Sequence, residues 1–105
     1  MAKFLFQVNY PVNGSKSALV HGGSARRTAA QASAKLLGGK VESFHFAFGT
    51  TDAYVLAELP NNEAAAALAM TMSANDGATV TTTVLLTPDE IDHATGATVK
   101  FRPGF

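Results

Sequence analysis

No cysteine occurs in the 105 residues, which excludes disulfides, thiolate catalysis and cysteine-ligated metals in one step. An excess of either charge is missing too. Eight Lys and Arg residues balance eight Asp and Glu residues, so no global field steers the chain toward polyanions or an anionic surface. Neither nucleic acid nor a membrane is an expected partner. No apolar run approaches the ~20 residues that span a bilayer. The run Met1–Phe6 enters a strand pattern at once and lacks the long apolar region of a secretory signal, so a cytoplasmic protein is expected. Internal repeats and low-complexity linkers are absent, and the length fits one domain, 1–105, with a modest core.

What is present is strongest between Phe44 and Leu59, which reads as a whole β-hairpin with two chemically different faces. Alternation puts Phe44, Phe46 and Phe48 on one side. If the loop is Gly49 to Asp52, antiparallel pairing lays Ala53, Val55, Ala57 and Leu59 beside them. Ser43, His45, Ala47, Tyr54, Leu56 and Glu58 then share the opposite face.

Lys3 to Tyr10 alternates in the same way and is ended by Pro11 and the Asn13-Gly14 turn signal. Ser15 to Val20 has room for one or two helical turns. Ser24 is placed to cap a helix to about Leu37, stopped by Gly38-Gly39. A second, alanine-rich helix starts at Pro60-Asn61-Asn62-Glu63, runs to about Ser73, and is ended by Asn75-Asp76-Gly77. A fourth strand covers about Ala78 to Leu86. Thr87-Pro88-Asp89-Glu90 then forms a capping box for a short helix to about Ala94, and Gly96 to Phe105 is an extended tail.

Strand, helix, strand, strand, helix, strand is the split βαβ plan of a ferredoxin-like α+β sandwich on an antiparallel sheet. Both helices belong on the face of Phe4, Phe6, Phe44, Phe46, Phe48, Val55, Val80 and Val84, the one fully apolar candidate. The other face mixes Leu5, Leu56 and Leu85 with Gln7, Asn9, Ser43, His45, Tyr54, Glu58, Thr81 and Thr83. It is too apolar for an ordinary solvated surface and too polar for a dry core. A second sheet packed across it, with a lined cavity between, satisfies both halves of that composition.

Two constellations carry chemistry. With a four-residue loop, Ser43 faces Glu58 and His45 faces Leu56, so His45 and Glu58 become diagonal neighbours about 7 to 8 Å apart at Cα level. A carboxylate beside an imidazole is the usual equipment for proton transfer, which makes His45 and Glu58 the catalytic candidates. The plainer alternative is a satisfied polar cluster between two sheets, or a ligand contact shared with Gln7 and Tyr54. The second constellation is Arg26-Arg27, two guanidiniums in a first helical turn where the macrodipole disfavours cations. An anionic ligand or a carboxylate of the protein or its partner is expected there, although the lysine and spacing of a P-loop are missing. His21, His45 and His93 lie far apart without ligand-like neighbours, so no metal is expected, and no cofactor either. Asp52 reads as a turn residue bonding backbone.

Leu37-Gly38-Gly39-Lys40-Val41-Glu42-Ser43-Phe44, then Phe48-Gly49 and Asp52, then Leu59-Pro60-Asn61, and Thr81-Thr82-Thr83 before Leu86-Thr87-Pro88-Asp89-Glu90, resemble the GYD-domain family of small bacterial proteins. The similarity runs from about Lys3 to Ala94. Thr51 stands where that family usually has Tyr, and His45 where Tyr is common. The resemblance implies a dimeric α+β barrel, two ferredoxin-like sheets facing each other, and no settled biochemical function. A homo-oligomer, dimer or multiple of dimers, that binds a small molecule through Gln7, His45, Tyr54 and Glu58 is the leading expectation, more binding protein than enzyme. The alternatives are a cofactor-independent oxygenase or isomerase with His45 as base, and a purely structural assembly subunit.

Overall fold

A computed structural model describes residues 1–11 and 22–97. The helical turns expected in Ser15–Val20, the Asn13-Gly14 turn, His21, and Phe101 and Phe105 of the tail lie outside the described residues. The chain runs β1 (Ala2–Asn9), α1 (Gly23–Leu36), β2 (Lys40–Phe46), β3 (Ala53–Leu59), α2 (Asn62–Asp76), β4 (Thr79–Leu85) and α3 (Pro88–Gly96). The strands form one four-stranded sheet in the order β2-β3-β1-β4, every neighbouring pair antiparallel. This is the ferredoxin-like α+β arrangement with a short helix added after β4.

Alternation decides which face is covered. Phe4, Phe6 and Val8 of β1, with Ala53, Val55, Ala57 and Leu59 of β3, are fully buried against Ala34 of α1 and Ala64, Ala65 and Leu68 of α2. The alanines let both helices lie close to the sheet, and Leu68 supplies the volume they lack. Phe44, Val41 and Met72 close the margins of this core half-buried.

The helix ends follow local chemistry, with one correction. Ser24 does not cap α1. Gly22 does, at φ 79 and ψ 161, with no side-chain hydrogen bond. That backbone conformation suits glycine, and the Phe46 ring lies so close to Gly23 that a Cβ there would meet it at 2.7 Å. Two glycines therefore set the entry, and Ser24 falls inside the helix. The exit is a Schellman motif: Gly39 N–H donates to Ala34 O at 2.9 Å and Gly38 N–H to Lys35 O at 3.1 Å, with Gly38 at φ 85. Asn61 caps α2 by accepting from Ala64 N–H at 2.9 Å, and Gly77 ends it at φ 66. α3 carries the expected capping box, Thr87 Oγ1 accepting from Glu90 N–H at 3.1 Å and Glu90 Oε1 from Thr87 N–H at 3.0 Å. Those bonds favour the carboxylate and hold the Glu90 carboxyl below the ordinary glutamate range.

On the apolar face, too, features differ from the sequence reading. Strand β2 ends at Phe46 rather than Phe48, and Phe48 stands in solvent in the connection, completely exposed. Val84 keeps the core-facing parity expected of it but is 51% exposed, at an open groove between α2 and β4. Among the described residues no helix is long and apolar enough to cross a membrane.

Among the described glycines Gly39 makes the tightest approach, since a Cβ there would collide with the carbonyl oxygen of Glu58 and the Leu59 side chain. Gly39→Ala is expected to cost about 2 to 3 kcal/mol of stability, as backbone on backbone cannot give way cheaply. Gly49→Ala, with nothing within 4 Å of the added carbon, is the control and should stay within about 0.5 kcal/mol in the same urea titration.

Candidate functional site

The sheet face away from α1 and α2 carries three rows of side chains, read across β2, β3, β1 and β4. The first is His45, Tyr54, Gln7 and Thr81. The second is Ser43, Leu56, Leu5 and Thr83, and the third is Lys40, Glu58, Lys3 and Leu85. Polar and aromatic groups thus flank an apolar middle on one side and charged groups on the other. Tyr54 is 40% exposed and His45 is also exposed, while Leu5, Leu56, Gln7 and Glu58 are half-buried.

This register corrects the hairpin pairing. Phe46 lies opposite Ala53, so the connection is Ala47–Asp52, and Ala47 N–H donates to Asp52 O at 2.8 Å. A bulge between Val41 and Ser43 shifts the pairing once more toward the start of β2. His45 faces Tyr54 rather than Leu56, and Ser43 faces Leu56 rather than Glu58. His45 and Glu58 share the open face as expected, yet they sit two rows apart. Four residues of strand between Tyr54 and Glu58 amount to about 13 Å, so they are not diagonal neighbours. Glu58 instead meets Lys40 Nζ at 3.7 Å, and Lys3 Nζ meets Glu42 Oε1 at 3.4 Å. The charged row is largely self-neutralised. His45 is left with an aromatic hydroxyl as its cross-strand neighbour.

The hairpin connection is tied to the end of β1, which holds the first row in place. Asp52 N–H donates to Val8 O at 3.0 Å and to Asn9 Oδ1 at 3.1 Å. Asp52 Oδ2 in turn accepts from Tyr10 N–H at 2.8 Å. The backbone role expected of Asp52 is what the structure shows. Sequence reasoning named Thr51 only as a departure from the family pattern and missed its bond: it is 7% exposed and donates its hydroxyl to Gln7 Oε1 at 3.3 Å. With that oxygen engaged, Gln7 offers the face its amide N–H groups. The signal was weak: a threonine in a turn says nothing about a partner 44 residues away.

Arg26 and Arg27 separate, as consecutive helical residues must. Arg26 turns inward, its guanidinium carbon 4.3 Å from the centre of the Tyr10 ring, a cation–π contact. It borders a cleft of about 240 Å³ between α1 and α2, with Ala29, Ser33, Phe44, Met72 and Asn75 among its walls. Arg27 is exposed on another side of the helix. The two guanidiniums therefore do not converge on one anion. Among the described residues no cluster of His, Asp or Glu is arranged to hold a metal ion. His93, on α3, has its Nδ1 at 2.9 Å from Asp89 O in the same helix.

An α+β sandwich whose helices cover one sheet face and leave a patterned polar and apolar face open is the class these observations define. The chain belongs to the GYD domain family, whose model matches residues 4–95. That span takes in every strand but the first residues of β1, and it reaches into α3. Comparison with curated proteins and with solved structures returned no match.

Asp52→Ala removes the acceptor of Tyr10 N–H and is expected to cost about 1 to 3 kcal/mol, the range for leaving a partly buried donor unmet. Urea unfolding measures the loss. Amide exchange at Tyr10 and Gln7 should accelerate in the same variant, while the Leu59 amide, at the far end of the sheet, should not follow beyond the global change.

Proposed function

We propose that this protein is a small-ligand-binding homo-oligomer built from pairs of chains, in which two open sheet faces oppose each other as a dimeric α+β barrel. The observation that carries the reading is the three-row pattern itself. Leu5 and Leu56 form an apolar centre that none of the described helices covers, and burying both on a partner is favourable by about 1.5 to 3 kcal/mol for each fully buried side chain. His45, Tyr54 and the amide of Gln7 then face an enclosed space from one side and the Lys40–Glu58 pair from the other. An aromatic wall, hydrogen-bond donors and an imidazole suit a small polar organic molecule.

Binding rather than catalysis is favoured because His45 neighbours Tyr54 and not a carboxylate. A general base needs its proton path and its orienting partner within hydrogen-bond reach. The row supplies polarity, but no carboxylate beside the imidazole.

Native mass spectrometry and sedimentation of freshly purified protein test the proposal together. Even multiples of the 10.9 kDa chain are expected, with retained small-molecule mass where ligand copurifies. Leu56→Lys should return the protein to single chains, and His45→Asn should weaken ligand retention while leaving the assembly intact. A single 10.9 kDa species at micromolar concentration overturns the shared cavity, and an even oligomer that binds nothing across a metabolite panel identifies a structural assembly subunit instead.

A further inference from the structure

Every Lys, Arg, Asp and Glu of the four strands is held in an ion pair. Lys40 Nζ lies 3.7 Å from Glu58 Oε2 and Lys3 Nζ 3.4 Å from Glu42 Oε1, so the two cations of the third row are each matched by a carboxylate. The second pair depends on the bulge. Glu42 is the extra residue between Val41 and Ser43, outside the alternation, and its carboxylate reaches a lysine of the open face from there. The first row, His45, Tyr54, Gln7 and Thr81, contains no Asp, Glu, Lys or Arg. A two-fold partner repeats these strands, so it brings the same balance and no surplus of either sign.

The polarity of the uncharged row is set by the hairpin connection. Thr51, buried there, donates its hydroxyl to Gln7 Oε1, and a primary amide whose oxygen is engaged presents its N–H donors to whatever lies against it. Gln7 therefore asks for an acceptor. Tyr54 stands between Gln7 and His45 across the strands, which places two rings beside that donor.

We infer that the ligand of this face is an uncharged, flat molecule carrying a carbonyl-type acceptor, and that Thr51 sets the acceptor preference by holding Gln7. The inference rests on the binding reading above and narrows its ligand. An ionised ligand enclosed between two such faces gives up its water and meets only counter-charges that are already matched, whereas a neutral one gives up less and gains the bond to Gln7. The rings of Tyr54 and His45 give a flat molecule a surface to stack on. Thr51 touches no ligand in this arrangement; it is a positioning residue.

Benzamide, benzoate and benzylammonium share one ring and nearly one size, and differ in charge. Titrated into the assembled protein and followed by the side-chain amide resonances of Gln7, benzamide is expected to shift those resonances and to bind about tenfold more tightly than either ion. Thr51→Val keeps the shape of the side chain and removes the hydroxyl, so benzamide affinity should fall about threefold while sedimentation shows the same oligomer. Thr51→Ser, which keeps the hydroxyl, should retain the affinity. Either ion binding as tightly as benzamide overturns the uncharged class, and benzoate binding that is lost in His45→Gln overturns it by showing an anion held at the imidazole. Unchanged benzamide affinity in Thr51→Val overturns the role of Thr51. An even oligomer that takes none of the three probes overturns the inference and leaves the pairing of chains standing, whereas a 10.9 kDa species removes the enclosed face and both readings with it.

Discussion

The parity of β1 governs the rest of the molecule. Phe4, Phe6 and Val8 point at the helices, so Lys3, Leu5 and Gln7 must point away, and β1 fixes the same choice for β3 and β4 through its ladders. Phe4, Phe6, Leu59 and Leu68 are each buried almost completely. At about 1.5 to 3 kcal/mol per large side chain, exposing these four would cost an amount comparable to the whole stability of a domain this size. A sheet slipped by one residue would put those aromatics into water and the Lys3–Glu42 pair into the core. The open face therefore owes its composition to the covered one, and its three rows follow from a choice made by the aromatics beneath them.

Alternation fixes which residues share a row's face but not which residues share the row. That second choice falls to the Ala47–Asp52 connection. Asp52 binds the end of β1 from both its backbone N–H and its carboxylate, and Thr51 reaches Gln7. These bonds draw the hairpin tip toward β1, so Tyr54 lies directly between His45 and Gln7. The chemistry of the open face is thus set by a turn whose own residues are mostly absent from it. Thr51 is small enough to be buried against Gln7, where a tyrosine ring would have to lie elsewhere.

Much of this was legible before the structure. The alternations in β1 and β3, the asparagine cap of α2, the Gly38-Gly39 exit of α1 and the Thr87–Glu90 box are local signals, and local signals report local geometry. The strand register was not legible. A loop of four residues and one of six are both compatible with Phe48-Gly49-Thr50-Thr51-Asp52, and the Val41–Ser43 bulge leaves no mark in the alternation. The bonds that decide between them join residues about 42 positions apart. Loop length and bulge together moved Glu58 from beside His45 to beside Lys40. Arg26 and Arg27 failed to converge for a simpler reason, the 100° step of the helix, and the pull of Tyr10 on Arg26 again comes from far along the chain.

Among the described residues a single chain leaves two apolar surfaces open, the Leu5–Leu56 centre of the open face and the groove beside Val84, and one helix without a packing partner. Each would be a liability in a monomer, since exposed apolar patches and unpaired sheet edges invite indiscriminate association. They lie on the same side of the fold's economy: the alanines that bring α2 down onto the sheet also line the open groove between α2 and β4. If partners fill both surfaces, part of the native stability becomes a property of chain concentration rather than of the chain. Ligand enclosed between two faces would then add to assembly and folding at once, because the cavity exists only where the faces meet. Under the proposed function, a protein of neutral net charge with no disulfide to brace it would gain from such coupling a means of being most ordered when a ligand is bound.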